Sequence, residues 1–252
     1  MGKVENNFAI GSVSKHIINL AVPMIVAQLI NVLYNVVDRI YIGRIPGEAT
    51  LAMGGLGLCL PLISIINAFA NLFGMGGAPL CSIARGRGDN EEAEKIMGNS
   101  FMLLIIFSVV LMVVGFIFKE DLLWLFGASA NTIGYANDYM TIYLLGTLFV
   151  LIGLGMNSFI NSQGFAKIGM LTVLLGAVTN IILDPIFIFG FDLGVQGAAI
   201  ATVISQFVSA LWTLQFLTSK KTILKIKRSC LKLKYSYVTR IVSLGMAGFM
   251  MA

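Results

Sequence analysis

At 252 residues, 58% of them hydrophobic and only 12% charged, with a mean hydropathy of +0.90 and a net charge of +5, the chain departs from soluble domains, where about a quarter of residues are charged. The bilayer is therefore the solvent to reason with, and the useful unit is an apolar span of about 20 residues. His16 is the only histidine, which excludes imidazole pairs and histidine-rich metal cages, and Cys59, Cys81 and Cys230 lack the spacing of a metal site or a disulfide framework.

Residues 1–8 are short and polar, and no small-residue cleavage site interrupts the first apolar run, which reads as a retained span. Six apolar runs follow in order, at about 16–42, 51–84, 98–118, 139–162, 168–191 and 195–217, each long enough to cross. Continuous runs of this kind predict helices, because a membrane barrel shows short alternating segments. The expected fold is an all-α membrane protein, a six-helix transmembrane bundle over 1–217. Lys and Arg collect on the cytoplasmic side of short loops. A cytoplasmic N-terminus puts all but Arg39, Arg44 and Lys119 of the 17 basic residues inside, Lys3 among them. Both ends of the six-span unit then face the cytoplasm, in a multi-pass protein of the plasma (inner) membrane.

Residues 218–236 form a basic loop with Lys220, Lys221, Lys225, Lys227, Arg228, Lys232 and Lys234. It is expected to fix topology by lying on anionic headgroups rather than to bind nucleic acid. The chain becomes apolar again over 237–252, too short a stretch for a full span, and 241–246 faintly echoes 17–22. The expectation is the start of a seventh helix, in one half of a two-repeat transporter.

Polar side chains inside apolar runs are costly, so each needs a reason. Late in the first run, Asp38, Asn35, Tyr34, Asn31 and Gln28 recur at three- and four-residue intervals and share one helix face. Arg39 points roughly 100° away. An aqueous cavity or a bound cation is the expected partner of Asp38. In the fifth run Gly176, Asn180 and Asp184 follow at intervals of four and precede Pro185, whose ring removes a backbone donor. A freed carbonyl beside a carboxylate and an amide suits a hard cation. Thr202, Ser205, Gln206 and Ser209 share a face in the sixth run, and Asn157 and Asn161 do so in the fourth; interhelical hydrogen bonding is the alternative role for these groups. Asp138 and Asp192 fall at loop edges. Gly54, Gly55, Gly57, Gly74, Gly76 and Gly77, with Pro61 and Pro79, mark close helix packing in the second run. Residues 85–90 lead into a helix start rich in acidic residues, without the ending of a phosphate loop.

The stretches LAVPM at 20–24, LYNVVDRIYIG at 33–43, GMGG at 74–77, ARGRGD at 84–89, NIILDPIFIFG at 180–190 and GVQGAAIAT at 194–202 resemble the multidrug and toxic compound extrusion (MATE) family of membrane transporters. The resemblance covers the chain in order. It implies twelve spans in two lobes that alternate access, this chain being the N-terminal half. It also implies export of small cationic or amphipathic drugs in exchange for sodium ions or protons, with no enzymatic activity and no cofactor beyond the coupling ion. Carried over by motif, Asp38, Asn180, Asp184 and Thr202 form the cation site with Asn157 nearby. Gln28, Asn31, Tyr34, Asn35 and Asn157 line the substrate cavity, and Pro23 lets the first helix bend. Residues 163–170 depart from the family pattern, and the C-terminal lobe is the missing partner. Three other readings are an inert half-transporter, a lipid-linked oligosaccharide flippase, whose cavity needs basic residues these spans lack, and an intramembrane aspartyl protease using the two carboxylates.

Overall fold

The computed structural model describes residues 12–251; Lys3 and the polar N-terminus lie outside the described residues. Among the described residues eight α-helices account for most of the length, and there is no strand. They are α1 (Val13–Ile42), α2 (Ala49–Gly86), α3 (Asn90–Leu125), α4 (Ile133–Leu145), α5 (Thr147–Ser162), α6 (Ala166–Pro185), α7 (Gly194–Thr218) and α8 (Tyr235–Met250). A wide π turn, Ile186–Gly190, continues α6, and a 3-10 turn, Arg228–Cys230, interrupts the link to α8. Five helices are long and apolar enough to cross a bilayer, and α4 with α5 makes a sixth, bent span.

One span expected as a single helix is broken, and another is widened where Pro185 was expected to disturb it. The fourth, expected at 139–162, begins at Ile133 and bends by 59° between α4 and α5. Gly146 sits at the bend, where its amide reaches Tyr143 O (2.9 Å), three residues back, so the four-residue ladder is interrupted. It also lies against the Val203 side chain of α7, where a Cβ would come within 2.6 Å. In the fifth, Pro185 has no amide to donate and the helix widens after it: Phe191 N–H bonds Ile186 O, five residues back, at 2.9 Å. The third span is longer than 98–118 at both ends. Its start is fixed by Asp89, which accepts from Glu92 N–H (2.8 Å), with Glu91 and Glu92 in the first turn.

Lipid tails are as apolar as leucine, so the bundle is held by close packing rather than by hydrophobic sorting. The central helix is α2, which packs against α3, α4, α5 and α8. Its glycines are where backbones meet: Gly74 faces the backbone of Gly155 on α5, and Gly76 faces Ile241 O and Gly245 on α8. Gly245 in turn lies on Leu72 O. Beside these contacts Phe69, Phe73, Phe107 and Phe249 join α2, α3 and α8 in one aromatic cluster. In contrast α1 packs mainly on α6 and buries only Pro23, Asp38 and Ile42.

The basic loop is folded onto one end of the bundle. Its inner side carries buried Thr222, Leu224 and Cys230, and the turn at Gln163 and Gly164 receives it. That turn, where the sequence departs from the family pattern, is a glycine cap: Gly164 has φ +88° and Phe165 N–H returns to Ile160 O (3.2 Å). Arg85 donates to the Gln163 carbonyl (3.1 Å), tying α2 to the same turn.

Candidate functional site

Four of the residues singled out in the apolar runs meet inside the bundle. Asp38 comes from the last turns of α1, Asn180 and Asp184 from one face of α6, and Thr202 from α7; their residual exposures are 9%, 0%, 0% and 6%. The helical spacing of four puts Asn180 directly over Asp184, and its amide donates to Asp184 Oδ1 (3.1 Å) and to Thr202 Oγ1 (3.5 Å). The Asp38 and Asp184 carboxyl groups adjoin across the α1–α6 contact. Asp38 makes no ion pair with Arg39 among the described residues.

The site is rich in acceptors and poor in donors. Asp38 Oδ1, Asp184 Oδ2 and Asn180 Oδ1 are all buried without a hydrogen-bond partner. Buried polar atoms are seldom left bare, and a bare carboxylate oxygen in a bilayer is costlier still. Two adjoining carboxyl groups cannot both stay ionised unless a cation lies between them; without one they share a proton. An amide oxygen, two carboxylates and the Thr202 hydroxyl form an all-oxygen donor set suited to a hard cation or a proton.

Three tyrosines close the pocket. Tyr34 lies beside Asp38 and Asp184, Tyr139 beside Asp38 with its hydroxyl directed at Thr202, and Tyr143 beside Tyr34. The Tyr139 and Tyr143 rings stack with centroids 6.0 Å apart, and both are nearly fully buried. Tyr139 and Tyr143 were not among the expected site residues. Their four-residue spacing on one face was the available signal, muted because tyrosine is common wherever a helix meets the membrane interface.

The remaining expected residues lie apart from this cluster. Asn35 donates to Asn31 O (2.7 Å) and to its Oδ1 (3.3 Å), within α1. Gln28 is exposed with Met24, Ile25, Leu29 and Val32 along a shallow groove of about 300 Å³ on α1. Asn157 donates to Gly169 O (3.3 Å), joining α5 to α6. Pro23 is buried in the middle of α1, where its ring leaves the Asn19 carbonyl without its usual donor. Ser205 bonds Thr202 O (2.7 Å) within α7, and Ser209 bonds Thr172 O (3.2 Å), joining α7 to α6. Asp138 accepts from Gln196 (3.0 Å), joining α4 to α7.

The described residues thus form a helical membrane bundle with a buried, acceptor-rich cluster at the junction of three spans, one of them widened after Pro185, an arrangement that recurs in transporters built from discontinuous helices. The MatE family model matches residues 23–186, and the chain belongs to that family. It is 30% identical over 245 residues to the multidrug export protein MepA of Staphylococcus saprophyticus and 28% identical over 244 residues to that of Staphylococcus haemolyticus. Each match covers 97% of this chain and 54% of the relative. Among solved structures, a MOP-superfamily transporter from Pyrococcus furiosus superposes with a TM-score of 0.88 at 28% identity, over 95% of this chain and 53% of that one. A MATE protein crystallised in a straight conformation gives 0.88 at 27% identity, with the same coverages. The chain thus spans about half the length of the curated relatives it matches, and these relatives are transporters rather than enzymes.

Proposed function

We propose that the chain forms the N-terminal, cation-handling lobe of an antiporter that exports small cationic or amphipathic drugs in exchange for sodium ions or protons. The observation that carries this reading is the set of three bare acceptor oxygens, on Asp38, Asp184 and Asn180, buried together inside the bundle. A cation or proton entering this pocket neutralises the carboxyl pair and removes the negative charge that a cationic drug needs. Drug and coupling ion therefore compete, and the difference in their affinities between two conformations supplies the exchange. The bend point at Pro23 lets α1 carry Asp38 toward or away from α6. Gln28, Asn31, Tyr34, Asn35 and Asn157 line the drug path, and a second lobe completes the enclosure. Membership of a family whose curated relatives are named multidrug export proteins supports the substrate class. The basic loop is assigned to the cytoplasmic face of the plasma (inner) membrane by its charge.

The adjoining carboxyl groups also fit an acid–base pair of a protease. Asn180 held on Asp184, and relatives that export drugs, favour transport.

The test is equilibrium binding of tetraphenylphosphonium to the purified protein with sodium and pH varied in turn. Competition by one of the two ions is expected, weakened about tenfold or more in Asp184→Asn, the order expected for loss of a charged ligand. Drug binding indifferent to both ions would overturn the assignment.

A further inference from the structure

The basic loop is more than a topology signal, because its backbone is pinned at three places by buried polar side chains of the bundle. Gln163 Oε1 accepts from the Thr222 hydroxyl (2.8 Å) and from the amides of Ile223 (3.1 Å) and Leu224 (2.7 Å). Glu94 accepts from the Lys225 amide (3.2 Å) and pairs with the Lys227 ammonium. Asn99 accepts from the Lys234 amide (2.8 Å) and donates to Lys232 O (3.3 Å). Between the last two clasps, Gly98 lies against the backbone of Cys230, a contact only glycine permits. A loop held this way has one conformation, and its outward side chains are set by the bundle.

That outward side is uniformly basic. No Asp or Glu occurs between Thr218 and Arg240. Lys227 alone is neutralised by Glu94, while Lys220, Lys221, Lys225, Arg228, Lys232 and Lys234 have no ion-pair partner among the described residues. Two apolar side chains stand among these charges: Leu233 is 44% exposed and Tyr235 84% exposed. The loop joins the end of α7 to the start of α8 and touches the start of α3 and the end of α5, so it lies where helices leave the hydrocarbon.

We infer that residues 220–235 are a preformed docking surface for anionic phospholipid headgroups. The unpaired cations take phosphates, and Leu233 and Tyr235 insert at the level of the glycerol backbone, as interfacial aromatics do. A nucleic acid would use the charges and stack on Tyr235 but leave Leu233 in water, and the loop lies at the ends of apolar spans where headgroups are already at hand, so these observations favour lipid. The surface does not depend on which ion drives transport.

The experiment measures binding of short-chain phosphatidylglycerol and phosphatidylcholine to the purified full chain in neutral detergent, by native mass spectrometry. Phosphatidylglycerol is expected to bind at least about tenfold more tightly, with a preference that falls as salt rises. Lys232→Gln with Lys234→Gln is expected to abolish most of that preference, each charge removed being worth about fivefold and the two together about 25-fold, with the melting temperature in phosphatidylcholine unchanged. Leu233→Ser with Tyr235→Ser keeps every charge and is expected to weaken phosphatidylglycerol while leaving any affinity for inorganic phosphate as it was. Equal binding of the two lipids overturns the inference. So does a preference that survives both double variants, or full displacement of phosphatidylglycerol by a short oligonucleotide.

Discussion

Asn180 gives its amide hydrogens to Asp184 and Thr202 and keeps its own oxygen bare. Thr202 Oγ1 accepts that amide at the long distance of 3.5 Å, and exchanging this contact for a cation gives the hydroxyl oxygen a ligand role. Thr202→Val keeps the volume and removes that oxygen. We expect affinity for the coupling ion to fall about tenfold, the value of one hydrogen bond to a charged group, with drug affinity in the absence of the ion unchanged. Ion titration of drug binding checks it, and equal displacement of drug in both proteins excludes a ligand role for Thr202. Asp38, Asn180, Asp184 and Thr202 were legible in the sequence because a polar side chain in an apolar run is an anomaly that demands a reason, and helical spacing placed them on faces. Gln163, Glu94 and Asn99 were not. They lie at the ends of runs, where polar residues cost little, and their partners are far away in the chain, as with Lys225 N–H on Glu94. Gln163→Ala leaves three donors near residues 222–224 without their acceptor. A loss of about 1–3 kcal/mol of local stability is expected, read as faster amide exchange confined to the loop; unchanged exchange there would show that the clasp holds nothing.

At the scale of elements, hydropathy located all six spans, and Pro185 marked the disturbance of the fifth, but the bend of the fourth at Gly146 was not legible. A glycine and a proline inside a run are each compatible with a continuous helix, and what decides is the neighbour: Val203 leaves room at residue 146 only for glycine, and the missing Pro185 amide is answered by a wider turn rather than by a stop. The loop from α7 to α8 was read correctly as basic, yet its attachment to α3 and α5 is a tertiary fact no local pattern carries. Glu94 raises the pKa of Lys227 by hydrogen bonding and charge. A raised lysine contributes its stabilisation fully below the ordinary value of about 10.4 and loses it as pH climbs past the raised one. The attachment is therefore expected to loosen at strongly alkaline pH, as Lys227 loses its proton. Glu94→Gln should loosen it at neutral pH. The rate of tryptic cleavage at Arg228 reports both, and equal rates for wild type and Glu94→Gln at neutral pH would count against the ion pair.

For the whole molecule, α8 is joined to α2 through Gly76, Gly245 and Gly248, with Met75 against Gly248 and backbone against backbone elsewhere. No side chain can move aside to admit a Cβ on Gly245, because Leu72 O occupies its place. Gly245→Val is expected to cost about 1–3 kcal/mol or to separate α8 from α2, seen as a lower melting temperature in detergent; a melting temperature equal to wild type would contradict this contact. The same α2 backbone meets α5 at Gly74 and Gly155, so α2 is the wall that α5 and α8 share, and α5 in turn packs on α6 and α7, which carry Asn180, Asp184 and Thr202. The central claim is that the carboxyl pair of Asp38 and Asp184 exchanges a cation for a drug. Its most direct test is ethidium efflux by everted vesicles carrying the longest form of the protein that the coding sequence specifies, driven by an imposed sodium or proton gradient. The account predicts efflux that follows one of the two gradients and loses that dependence in Asp184→Asn. Export by Asp184→Asn with an unchanged dependence on the gradient would contradict it.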